Sequence, residues 1–260
     1  MILAIDCGNT HITVGCVDAC NTAHAVFRLP TDTRETDHGY AAKLNQILSL
    51  EGIDASILKG SAISSVVPPV TPTLVRAVEI VTKKTPLVVG AGVKTGLHIC
   101  INDPGTVASD LVVSAVAAKT LYPTPCIIVD MGTATTVTAV DEKGRFIGAA
   151  IAPGAMISLE ALAQRTALLP HVDMQPPRSP IGACTVDSMK AGIVYGMAGL
   201  VDGLLERFET ELNATEPTVI ATGGVAPMIV SHCKHKMTQE PDLLLKGLRM
   251  IWDKNRHTVD

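Results

Sequence analysis

Apolar residues open the chain in short runs. Residues 2–5 form one that ends in Asp6; after Cys7-Gly8-Asn9-Thr10 a second run covers 12–16, and a third covers 23–29. Runs of this length bounded by Gly, Asn and Thr predict strand, tight turn, strand, with a further strand beyond. From residue 36 the period changes. Tyr40, Leu44, Ile47 and Leu48 fall at helical spacing, predicting a helix over 36–50 that Gly52 stops. Strands are expected at 60–67 and 86–89, around a helix at 71–81 with Pro72 near its first turn, and a Gly-rich turn covers 90–96. The order β-β-β-α-β-α-β is that of an α/β lobe, and a helix over 107–121 bridges to the second half of the chain. Beyond it, strands are expected at 126–130, 137–140, 145–151 and 218–221, and helices at 155–168, 184–212 and 242–252. A proline-rich loop fills 170–180, and a polar tail runs from Asp253 to Asp260.

The opening pattern returns. Residues 126–130 are again apolar and end in an acid, Asp130, followed by Met131-Gly132-Thr133-Ala134-Thr135-Thr136 and two more strands. Such an internal repeat predicts two like lobes, residues 1–117 and 118–260. Each turn can serve a phosphate. Gly8 and Gly132 let backbone approach closely, Asn9, Thr10, Thr133, Thr135 and Thr136 add side-chain donors, and Asp6 and Asp130 can hold a cation directly or through water. One such hairpin alone is as readily the start of an ordinary sheet. Two of them read as an ATP site in a cleft between the lobes. The chain lacks the Gly-x4-Gly-Lys-Ser/Thr pattern of a Walker loop.

Two further stretches carry candidate chemistry. Thr222-Gly223-Gly224-Val225 follows a strand and opens a helix, so Gly223 and Gly224 either offer bare backbone to an adenosine or simply begin the helix. Asp110 stands in the first turn of the bridging helix. It is either a general base on a substrate hydroxyl or a solvated acid that complements the helix dipole. The long helix at 184–212 carries Gly192, Gly196, Gly199 and Gly203 three or four residues apart, a smooth face for another helix of the same lobe or of a second subunit.

Composition narrows the classes. At 260 residues, with 47% hydrophobic and 18% charged positions, the chain can bury a sizeable core. A net charge of −4 and only 3% aromatics argue against nucleic-acid and membrane surfaces. Met1 leads directly into a strand and no apolar run reaches membrane-spanning length, so the expectation is a cytoplasmic protein. The seven cysteines form no Cys-x-x-Cys pair, and most are expected to be small buried hydrophobes. His232-Cys233-Lys234-His235-Lys236 reads as a solvated helix end; zinc is the alternative, opposed by two lysines and the lack of a second ligand pair.

The two hairpins resemble those of the acetate kinase, sugar kinase and actin superfamily. That resemblance implies two duplicated ribonuclease H-like, actin-like ATPase lobes with a cleft between them. A more specific one rests on short stretches spanning nearly the whole chain. They are Asp6-Cys7-Gly8-Asn9-Thr10, Ile63-Ser64-Ser65-Val66-Val67-Pro68, Gly92-Val93-Lys94-Thr95-Gly96-Leu97 and Asp130 to Thr136. They continue with Pro153-Gly154, Thr185-Val186-Asp187-Ser188-Met189, Thr222-Gly223-Gly224 and Leu244-Leu245-Lys246-Gly247-Leu248-Arg249. In that order they are similar to the type III pantothenate kinases, also known as the Bvg accessory factor family. The resemblance implies ATP-dependent phosphorylation of pantothenate, the first step of coenzyme A synthesis. It also implies Mg2+, a monovalent cation (K+ or NH4+), and a homodimer whose sites draw on both subunits. Carried over by position, Asp110 matches the base, Asp130 the acid of the cation site, and Thr166 and Thr185 threonines that meet pantothenate.

One stretch departs from that pattern. The family usually reads Tyr-x-Asn-Pro-x-x-Val-Gly-Ala-Asp-Arg where this chain has Ile101, Ala108, Ser109, Asp110 and Leu111 at the Tyr, Gly, Ala, Asp and Arg positions. The arginine is the expected partner of the pantothenate carboxylate, a bond of about 1.5–3 kcal/mol. Three readings stand: a pantothenate kinase in which Arg165 or Lys94 compensates, a kinase for another small alcohol, or a non-catalytic relative that binds nucleotide or a partner protein.

Overall fold

A computed structural model describes residues 1–256. The chain divides into two compact units. The first comprises Met1–Leu97, Asn102–Ala117 and the chain from Asp242 onward; the second comprises His98–Ile101 and Ala118–Pro241.

In the first unit, strand β1 (Ile2–Cys7) is central. It runs antiparallel to β2 (His11–Val17), with partners from Ile2↔Val17 to Cys7↔Ile12, and β2 runs antiparallel to β3 (Ala23–Pro30). On its other side β1 is parallel to β4 (Ser61–Ser65), which pairs with the two-residue β5 (Leu87–Val88). The unbroken apolar run in β1 follows from this place, since a strand covered on both faces needs apolar side chains on both. Leu3 and Ile5 face helices α1 (Asp37–Leu50) and α2 (Thr71–Thr82), packing among Tyr40, Leu44, Leu74 and Val78. Ile2 and Ala4 face the other way, toward Val113 and Val116 of α3 (Ser109–Leu121) and Leu248 and Ile251 of α7 (Leu243–Asn255). Helix α1 begins where Thr36 accepts the N–H of Gly39, and Gly52, at φ +69°, turns the chain beyond its end.

The second unit repeats the plan. Its sheet reads β11-β10-β7-β8-β9-β6 against β3-β2-β1-β4-β5 in the first, so β7 through β11 answer β1 through β5 in the same spatial order. Here β7 is Cys126–Met131, β8 Ala134–Val140, β9 Arg145–Pro153, β10 Thr218–Thr222 and β11 Thr238–Gln239. The additional edge strand β6 (His98–Ile99) pairs parallel with β9. Ile127, Val129 and Val137 of this sheet pack against Leu159 of α4 (Ala155–Arg165), Val194, Val201 and Leu205 of α5 (Thr185–Leu212), and Ile229 of α6 (Ala226–Val230).

Two expectations change. A single division between residues 117 and 118 does not describe the chain, because α7 belongs to the first unit and residues 98–101 to the second. The reason is burial: α7 is amphipathic and covers the second face of sheet β1-β2-β4, while 98–99 add to an open edge beside β9. The cysteines are not mostly buried, since Cys20, Cys100 and Cys184 are exposed. The glycine face of α5 is open: a Cβ at Gly192, Gly196 or Gly199 would meet nothing within 4 Å. No helix among the described residues is long and apolar enough to cross a membrane. Of the polar tail, residues 257–260 lie outside the described part of the chain.

Candidate active site

In the first unit the turn between β1 and β2 is closed by Gly8 donating its N–H to the His11 carbonyl at 3.0 Å. The end of β3 braces it from outside. Thr31 donates its hydroxyl to the Gly8 carbonyl at 2.7 Å and its N–H to the Thr10 carbonyl at 3.1 Å. Asn9 and Thr10 are exposed at the tip, and Asp6 is half-buried at the strand end.

Asp6 and Cys7 lie opposite Ser64 and Ser65 of β4, and that strand end receives the first turn of α3. Ser109 donates its hydroxyl to the Ser65 carbonyl at 3.1 Å and lies 3.1 Å from the Ser64 hydroxyl. The next residue is Asp110. Its Oδ1 accepts the Leu111 N–H at 2.8 Å, and burial nonetheless holds its carboxyl above the usual carboxylate range. The carboxylate thus bonds within its own helix turn, but it is desolvated and not the solvated acid that was the alternative to a base. Ala108 is exposed beside it, whereas Leu111 is buried, 8% exposed.

In the second unit the matching turn is one residue shorter. Two residues, Gly132 and Thr133, separate β7 from β8, against Gly8, Asn9 and Thr10 between β1 and β2. Gly132 donates to the Ala134 carbonyl at 3.0 Å. Two glycines let neighbouring backbone close on this turn. A Cβ on Gly154 would stand 2.2 Å from the Thr133 carbonyl oxygen, and one on Gly223 would stand 2.5 Å from the Met131 carbonyl and 2.6 Å from Asp130 Oδ1. Gly223 also has φ +96°, a conformation that favours glycine. The structure therefore brings Asp130, Gly132, Thr133, Gly154 and Gly223 together, with Val225 donating to the Met131 carbonyl at 3.3 Å. Thr136 stands opposite Asp130 across the β7–β8 ladder, and Thr135 opposite Met131. Buried hydroxyls of Thr135 and Thr222 have no hydrogen-bond partner among the described residues.

The remaining candidates lie elsewhere in this unit. Ile101 follows β6 and is half-buried. Thr166 ends α4, exposed, with its hydroxyl on the Leu162 carbonyl at 2.7 Å, and Thr185 opens α5, also exposed. His232-Cys233-Lys234-His235 is not a solvated helix end. Buried Asp202 of α5 accepts the N–H groups of Lys234 (2.9 Å) and His235 (3.1 Å), and its Oδ1 lies 2.8 Å from His235 Nδ1. Cys233 is a thiol that burial pushes up to about 12, a poor metal ligand in that state. Sequence reasoning missed the roles of Ser64, Ser65 and Gly154; the signals were their place in stretches that carry the family resemblance and the density of small residues where apolar strands end.

The type III pantothenate kinase family matches residues 2–207. A type III pantothenate kinase of Bacillus cytotoxicus is 42% identical over 255 residues, covering 98% of this chain and 97% of its own length. Among solved structures, a Baf family protein from Campylobacter jejuni superposes with a TM-score of 0.60 at 16% identity, over 98% of this chain and 100% of its own. The activator of 2-hydroxyisocaproyl-CoA dehydratase from Clostridium difficile, solved with ADPNP, gives 0.59 at 13% identity, over 99% of this chain and 96% of its own. At those identities the structural likeness speaks for the fold alone, that of the actin-like ATPases. The sequence match reaches further: from residue 2 to residue 207, and nearly end to end in the Bacillus relative, the chain belongs to the type III pantothenate kinase family.

Proposed function

We propose that this kinase transfers the γ-phosphoryl group of ATP to the terminal hydroxyl of pantothenate, opening coenzyme A synthesis, with Asp110 as general base. Family membership supports the reaction class. The observation that carries the assignment of the base is the desolvated Asp110 carboxylate on the first turn of α3. Burial raises its proton affinity toward what a base needs near neutral pH. Its Oδ1 is tied to the Leu111 N–H, which fixes the carboxylate and leaves Oδ2 to take the hydroxyl proton as the oxygen attacks phosphorus and ADP leaves.

The turns at Gly8-Asn9-Thr10 and Gly132-Thr133 serve as phosphate turns in this reading, with Asp6 at the first and Thr135 and Thr136 behind the second. Gly223 and Gly224 pass the adenosine. A Mg2+ ion arriving with the nucleotide supplies charge neutralisation and needs only one or two carboxylates beside the phosphates, a demand that Asp6 or Asp130 can meet. We assign K+ or NH4+ to Asp130. The partnerless buried Thr222 hydroxyl suits an oxygen-seeking cation, since Thr222 stands opposite Asp130 in the β7–β10 ladder. Ala108 and Leu111, with Ile101, Thr166 and Thr185, make the substrate set; Ser109, whose hydroxyl is given to the Ser65 carbonyl, stands outside it. A homodimer is supported by the open glycine face of α5 and by Ile151, Leu168 and Ile181, exposed at 72%, 91% and 85%. We place the reaction in the cytoplasm.

ADP release with ATP, Mg2+, K+ and pantothenate tests the reading; turnover at ordinary pantothenate concentrations is expected. Leu111 favours a second reading, because a buried leucine gives a carboxylate nothing to pair with. Turnover with another small alcohol and none with pantothenate would select that one.

A further inference from the structure

We propose that Ser109 is a positioning residue for Asp110: its hydroxyl fastens the first turn of α3 to the end of β4, beside the strand that carries the first phosphate turn. This deepens the proposed function, because it takes Asp110 as the base.

The hydroxyl chain has one consistent direction. Ser109 holds a single hydroxyl proton, and the Ser65 carbonyl accepts it at 3.1 Å. The Ser64 hydroxyl, 3.1 Å from Ser109 Oγ, is then the donor to it. Ser64 is fully buried, so its hydroxyl depends on that acceptor. Ser65 is anchored in turn, its Oγ accepting from the Thr71 hydroxyl at 2.7 Å and from the Val67 N–H at 3.2 Å. In the β1–β4 ladder Ser64 and Ser65 stand opposite Asp6 and Cys7, the residues just before the Gly8 turn. The helix turn bearing the base is thereby registered against the strand end bearing the phosphate turn. Asp110 follows Ser109 directly and its carboxylate is bonded within the same turn, to the Leu111 N–H, so fraying of that turn releases the carboxylate as well. With its proton given to Ser65 and a lone pair taken by Ser64, Ser109 has little left to offer a substrate. Its effect therefore belongs in kcat rather than in substrate binding.

The test compares Ser109→Ala, Ser109→Cys and Ser109→Thr with the parent enzyme. Cysteine is close in size but a weak donor, and threonine keeps the hydroxyl. Two readouts are taken: steady-state kinetics with ATP, Mg2+, K+ and pantothenate, and NMR three-bond couplings that report the Asp110 side-chain rotamer in the free enzyme. Alanine and cysteine are expected to lower kcat about tenfold or more, with both KM values within about twofold, as a displaced reacting group does. In both variants the Asp110 couplings should average over rotamers. Threonine should restore kcat to within about threefold of the parent and keep a single rotamer, since the hydroxyl that sets the geometry is retained. Parental kcat and a single rotamer in the alanine variant would overturn the proposal, as would a loss that threonine does not restore. A rise in the pantothenate KM at constant kcat would overturn it too, marking Ser109 as a substrate contact. The couplings need no turnover. An inactive parent would refute the pantothenate reading and leave the positioning claim to be decided by the rotamer alone.

Discussion

Alanine at Gly223 puts a methyl group where backbone already stands. The added Cβ would lie 2.5 Å from the Met131 carbonyl and 2.6 Å from Asp130 Oδ1, about an ångström inside ordinary contact, at φ +96°. The strained dihedral costs about 1–3 kcal/mol in a non-glycine residue. Pushing the 131–132 backbone aside costs about 1–3 kcal/mol more, because the Met131 carbonyl is main chain and cannot swing away as the Asp130 side-chain oxygen can. Together these are about 2–6 kcal/mol, or on the order of 5–20 °C in Tm for a chain of this size. If the strain is relieved by local movement, the turn at Thr222-Gly223 leaves the Asp130 turn and the KM for ATP rises. Calorimetric melts and ATP titrations of Gly223→Ala are the assay. Gly90→Ala is the control, since a Cβ there meets nothing within 4 Å, and its Tm should match the parent's. A Gly223→Ala protein with parental Tm and parental KM for ATP would refute the close approach of the two turns.

Asp110→Asn should lower kcat by about a hundredfold or more with nucleotide binding unchanged, the usual share of a general base. The same substitution should raise Tm at neutral pH. Burial raises the folded pKa of Asp110, so this group's stability contribution is full below the ordinary carboxylate pKa and is lost as pH rises through the folded value. The Tm advantage of asparagine should therefore vanish in acid, and kcat/KM should fall as pH drops through that same raised value; equal melts of both proteins at pH 7 would count against a desolvated carboxylate. Leu111→Arg should lower the pantothenate KM about ten- to a hundredfold, the worth of one charge-assisted bond, and an unchanged KM would show that the arginine contact is not what this site lacks. Asp202 runs the other way. Burial raises its pKa, but the Lys234 N–H and then the His235 ring and N–H outweigh it, so the net shift is downward. Its contribution is present above the ordinary carboxylate pKa and disappears as pH falls through the lowered one. Asp202→Ala strands two half-buried N–H groups and should cost about 2–5 kcal/mol at pH 7, with a narrower gap in acid; a gap independent of pH would deny the charge a role.

The duplicated hairpins were legible because their signal is local. An apolar run, an acid and a Gly/Thr turn mark a central strand and its tip wherever they occur, and the strand orders of the two sheets bear the repeat out. The two-residue strands β6 and β11 left no mark, because His98-Ile99 and Thr238-Gln239 lack the apolar run that marked the equally short β5. Helix α7 was visible as a helix but not as part of the first unit. An amphipathic pattern says that a face is buried and is silent about what buries it. The same limit hid the Ser64–Ser65–Ser109 link. Serines far apart in the chain become neighbours only when β4 and α3 meet, and nothing near any of them announces the meeting.

Helix α7 also sets an order of events at the ribosome. Ile2, Ala4, Val17 and Ala62 leave the exit tunnel early, yet side chains that cover them, Leu245, Leu248, Ile251 and Trp252, emerge only after the whole second unit has been made. Trp252 lies so close over Gly60 that a Cβ there would come within 2.6 Å of its indole nitrogen. A nascent chain must hold one greasy side of its first sheet sheltered only by α3 until α7 emerges, while the second unit, residues 98–101 and 118–241, already possesses every element of its own sheet and helices. The unit begun first is the one completed last, and a chain cut before Leu243 would strand that face open.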